Sequence, residues 1–74
     1  MRVIDIAVNE LQEYENNPRN NDVAVDAVAA SIQEFGFKVP VIIDSKMVIV
    51  AGHTRVKAAK NIGMETVPCI IADD

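Results

Sequence analysis

MVIVAGHTRVKAAKNIG, residues 47–63, starts as one kind of structure and ends as another. Met47, Val48, Ile49, Val50 and Ala51 form an unbroken apolar run rich in β-branched residues, as in a strand. Gly52 ends that run. The Ala- and Lys-rich stretch that follows reads as a helix over 53–62, closed by Gly63.

The segments around it extend the pattern. KVPVIID, ahead of it, is a second β-branched run, and Asp44, Ser45 and Lys46 form a short turn between the two. This predicts a β-hairpin of 39–44 with 47–51. Both runs are almost continuously apolar, so both faces of their sheet are expected to be covered. NDVAVDAVAASIQEFG carries Val25, Val28, Ala29, Ile32 and Phe35 at helical spacing. It predicts a helix over 22–35, with Asn21 as N-cap, Asp22 in the first turn and Gly36 as the stop. RVIDIAV at 2–8 and TVPCIIA at 66–72 predict the outer strands, with Pro68 marking a strand start or an edge. NELQEYENNPRNN between the first strand and first helix is a polar connection dense in turn residues. The order β-loop-α-β-β-α-β predicts an α+β domain: a small mixed β-sheet with two packed helices. Val28, Ile32, Ile42, Ile49, Ala59 and Ile70 are the expected core.

The chain has 74 residues, enough for a single domain over 1–74. A domain near this size buries only about 60% of its unfolded surface. A second copy or an adjoining domain is therefore expected to help, and the ending CIIADD reads as a domain cut from a longer protein. Half the residues are hydrophobic and only 4% aromatic, so the core is aliphatic. The net charge of −4 argues against a stand-alone, non-specific DNA binder. One cysteine excludes an internal disulfide and any Cys-based zinc cluster, and fits a reducing cytoplasm. No apolar run approaches the roughly 20 residues of a membrane span.

The strand-to-helix junction carries the chemistry. A helix N-terminus presents unpaired N–H groups and about half a positive charge, which suits phosphate. Gly52 would let a ligand oxygen approach the backbone. Arg55 in the first turn can fork onto phosphate or carboxylate, and Thr54 and His53 can each donate. The same four residues also suit a plainer role. Gly52 then serves a tight turn, Thr54 a cap, His53 the surface and Arg55 an ion pair. His53 lacks a second His or Cys nearby, so no metal is expected through it. Glu10, Glu13 and Glu15 read as a solvated loop, Lys57 and Lys60 as exposed lysines, and Cys69 as a buried thiol.

MVIVAGHTRVKAAKNIGMETVPCIIADD, with NNPRNN and FGFKVPVII ahead of it, resembles the ParB/sulfiredoxin superfamily, in the form of a ParB-like N-terminal domain. The resemblance covers nearly the whole chain and is most specific at Gly52-x-x-Arg55, Lys57–Ala59 and Gly63. It implies a nucleotide-phosphate cradle at Gly52, His53, Thr54 and Arg55, with Arg19 of NPR nearby. It implies CTP or ATP, with Mg2+, as the cofactor. Sulfiredoxins carry a catalytic Cys two residues before the matching Arg. That position is His53 here, so no sulfiredoxin activity is expected. ParB proteins usually carry Glu-Arg where this chain has His53-Thr54. They also add a nucleotide motif, a helix-turn-helix and a dimerisation region beyond the last strand. The resemblance implies a nucleotide-binding module of a DNA-associated protein, with DNA reached through other domains. The form GHTR resembles ParB-like domains of phage and mobile elements that often precede a DNA methyltransferase. The alternatives are a nuclease or phosphotransferase using the same cradle, and an interaction module whose site has lapsed.

Overall fold

The computed structural model describes residues 2–13 and 22–72, apart from the side chain of Asp22. Asn21, expected as the N-cap of the first helix, and Arg19 thus lie outside what is described, as does the side chain of Asp22, expected to complement the dipole in the first turn. Four strands and two helices follow in the expected order. They are β1 (Val3–Ala7), α1 (Asp22–Phe35), β2 (Val41–Ile43), β3 (Ile49–Ala51), α2 (His53–Asn61) and β4 (Thr66–Ile71), with a short 3-10 turn at Val8–Glu10. The sheet order is β1-β4-β2-β3. β1 runs antiparallel to β4, β4 parallel to β2, and β2 antiparallel to β3, giving the mixed sheet of an α+β domain.

The hairpin is shorter than expected at both arms. The Asp44 carboxylate accepts the Lys46 N–H at 2.8 Å and the Val48 N–H at 3.0 Å, which holds the chain in a turn as far as Val48. A register shift between Ile42 and Ile43 further limits the pairing. Pro68 marks neither a strand start nor an edge. It lies inside β4, a central strand, opposite Asp5 of β1 and one residue before the parallel register with β2 begins at Cys69. A proline there costs the parallel ladder no donor.

The core forms on one face of the sheet. Ile6, Val41, Ile43, Ile49, Val67 and Cys69 pack with Val56 and Ala59 of α2. α1 lies on the outside of α2, where Val25 and Ile32 close over Ala58. Three of the expected core residues, Ile32, Ile49 and Ala59, are buried. Val28, Ile42 and Ile70 are only half-buried. The two strand residues point the wrong way: register places Val3, Ile70, Ile42 and Ala51 in one row across the sheet, on the face opposite α2. With both helices stacked on one side, the expectation that both faces are covered fails among the described elements. Period-2 alternation makes a one-residue error in facing an error for the whole strand. Phe35 also departs from its stripe, standing 63% exposed at the end of α1, while Phe37 packs against both clusters.

Candidate phosphate site at the start of α2

β3 ends at Ala51 and α2 begins at His53, so one residue makes the corner. Gly52 has φ +105° and ψ 22°, a left-handed conformation that side chains disfavour. A Cβ on it would also lie 3.1 Å from Arg55 Nη2 and 3.4 Å from Val41 Cα. The corner therefore needs glycine twice over, for its turn and for the close passage of β2. The Gly52 carbonyl accepts the Val56 N–H at 3.0 Å, the first bond of the helix. No side chain caps α2, and no acidic residue lies in its first turn. The N–H groups of the first turn and the positive end of the helix dipole are thus uncompensated by the helix itself.

Arg55 folds back from that turn. Its Nη2 donates to the Pro40 carbonyl at 3.4 Å, a long bond. Its Nε is buried with no partner, and among the described residues no carboxylate meets it. Arg55 forms one wall of a groove of about 180 Å³. The other walls are the end of α1 and the segment after it: Val28, Ile32, Phe35, Phe37 and Lys38, with the Ser31 hydroxyl. Gly36, at φ +86°, stops α1 by donating to the Ile32 carbonyl at 2.8 Å and turns the chain back toward α2. The groove thus has an apolar, partly aromatic floor and two cations, and no acidic residue lines it among the described ones.

His53 serves a different hollow. Its ring lines a space of about 330 Å³ with Asp44, Val48, Ile49 and Val50 along β3, and its Nε2 is buried without a partner. The four expected cradle residues are consecutive at the corner, yet His53 and Arg55 open on separate hollows. Lys60 faces a third hollow, beside Glu65. Glu10 and Glu13 are exposed, and Glu15 lies outside the described residues. Among the described residues no three His, Cys, Asp or Glu side chains group to hold a metal ion.

The whole chain, residues 1–74, matches the ParB N-terminal domain family. The chain belongs to that family. This ParB N-terminal domain is 38% identical over 72 residues to the ParB-like nuclease domain-containing protein YnaK of Escherichia coli (strain K12), covering 96% of this chain and 83% of YnaK. Its fold matches a C-terminally truncated chromosome-partitioning ParB from Caulobacter crescentus, solved with CTP-γ-S, with a TM-score of 0.86 at 24% identity. The match covers all of this chain and 46% of that one, so the domain spans less than half of the ParB chain. It matches sulfiredoxin from Arabidopsis thaliana with a TM-score of 0.87 at 18% identity, covering 100% of this chain and 88% of that one.

Set in this ParB N-terminal domain, Cys69 lies in β4 within the core and donates to the Val67 carbonyl at 3.5 Å. Burial, and secondarily the Asp5 carboxylate, push its thiol pKa up. It is a packing residue. What the sequence reading missed is the Phe35–Lys38 wall. The signal was Gly36 between two phenylalanines: a helix stop that returns the chain toward α2.

Proposed function

We propose that this ParB N-terminal domain is a nucleotide-binding module of a DNA-associated protein. The phosphates dock at the first turn of α2, and the rest of the nucleotide lies in the adjoining groove. The observation that carries the reading is Arg55: a buried Nε without a partner, at an uncapped helix N-terminus, beside an apolar groove that no acidic residue lines among the described ones. Backbone N–H groups and the helix dipole favour an anion there, and the guanidinium adds a planar fork. CTP and ATP are the ligands of choice, in keeping with the CTP-γ-S of the Caulobacter ParB. The described residues form no metal-holding set, so Mg2+ would arrive with the phosphates.

Thr54 donates at the corner, and Arg19, which lies outside the described residues, is proposed as a further phosphate contact from the resemblance alone. His53 plays a secondary part from its own hollow. Among the described residues no carboxylate lines the groove beside Arg55, and the reading proposed is binding rather than nuclease or phosphotransfer chemistry; His53 stands where sulfiredoxins carry their thiol. DNA is reached through other domains of the parent protein, such as a helix-turn-helix or a methyltransferase, in the cytoplasm. No described helix is long and apolar enough to cross a membrane.

Titrating CTP and ATP while following amide NMR shifts tests the site. The largest shifts are expected at 52–56 and 36–39. Arg55→Ala should weaken binding by at least tenfold, as expected for loss of a charge-assisted hydrogen bond of about 1.5–3 kcal/mol. Lys60→Ala should leave binding near that of the parent. Shifts centred on the Asp44–Lys46 turn, or an Arg55→Ala variant that binds like the parent, would reduce the corner to a plain helix start.

A further inference from the structure

We propose that Lys38 is the second cationic contact of this site and makes it select polyanionic ligands, nucleoside di- and triphosphates, over nucleosides. The inference rests on the nucleotide reading above and adds to it a residue on the opposite wall. Lys38 follows the left-handed turn at Gly36, and its side chain folds back over that glycine, with Cε 3.8 Å from where a Gly36 Cβ would be. It lines the same groove as Arg55, from a different element.

Charge makes this position unusual. The chain carries 11 acidic and 7 basic residues. The other described hollows reflect that balance: Asp44 stands with His53 in one, Glu65 with Lys60 in another, and Arg2 is alone among isoleucines in a third. Only the α1–α2 groove, among these, sets two cations together without an acid. Two cations on separate walls suit an anion that spans them and carries more than one charge. Phe35, largely exposed, and Phe37, half-buried, line the same groove and offer flat apolar surface to a base. A nucleoside without phosphates would meet only that floor.

The test compares CTP, CMP and cytidine, each titrated against the parent, Lys38→Met, Lys38→Arg and Lys60→Met, with the unliganded amide spectra as a check on fold. Lys38→Met keeps the length of the side chain and removes its charge. It should weaken CTP by about tenfold, an effect of the size expected for one charge-assisted contact, and leave cytidine unchanged. The preference for CTP over cytidine should fall by the same factor. Lys38→Arg should restore it, and Lys60→Met should match the parent. A Lys38→Met variant that binds CTP as the parent does, or that loses CTP and cytidine equally, overturns the role of Lys38 while the nucleotide site stands. A parent that binds none of the three removes both.

Discussion

Gly52 is fixed by structure before any ligand is considered. The left-handed turn and the contact with Val41 alone require it. In the proposed reading the same absence of a side chain also lets a phosphate oxygen reach the uncapped first turn of α2. Cys69 is the opposite case, a reactive group made inert. Burial raises its thiol pKa above the unfolded value, so the folded state holds the proton longer than the unfolded one. The resulting stability is complete below the unfolded pKa of about 8.5 and is lost as pH rises through the folded value. Chemical denaturation across pH 7–11 should show stability declining in that window. Cys69→Ala should flatten that decline, and nucleotide binding should be unaffected. A thiol reagent that modifies native Cys69 rapidly at pH 8, without unfolding, would contradict its placement.

At the scale of elements, α1 carries two kinds of apolar residue that the sequence writes alike. Ile32 is buried against α2, while Phe35, three residues on, is exposed over the groove. Ile32→Ala should cost about 2–4 kcal/mol in urea unfolding, as for a buried aliphatic truncation. Phe35→Ala should cost under about 1 kcal/mol and show its effect in ligand binding instead. Equal costs would mean that both face the core. The bounds of α1 were legible in the sequence because an apolar stripe ends at a glycine stop. Those of α2 were nearly so, because Gly52 and Gly63 bracket it. The facing of β2 and β4 was not legible: VPVII and VPCII hold apolar residues on both sides, and with no alternation the period of 2 has no phase. Gly52 and Arg55 stood out because they lie within four consecutive residues. Lys38 did not, because only the return of the chain after Gly36 brings it into the groove that Arg55 lines.

For the molecule as a whole, charge limits what the domain does alone. At net −4, with its two grouped cations inside a groove, it should bind short duplex DNA no more tightly than a non-specific contact of about 10⁻⁴–10⁻⁶ M at physiological salt. Fluorescence anisotropy with a labelled duplex measures this, and submicromolar binding would overturn it. The sheet order has a different consequence, in time rather than space. β1 and β2 do not pair with each other; each pairs with β4, the last of the four strands to be synthesised. Until residues 66–71 emerge, β1 has no neighbouring strand, and only Gln12 beyond it bridges to the hairpin, at Val48. That single bridge does not make the four-stranded sheet, in which only β4 joins β1 to β2. Closure spans almost the full length of the chain, so the loop entropy is lost in one late step. β4 is thus the keystone of assembly, and synthesis must run nearly to the end of the domain before β1 finds its place.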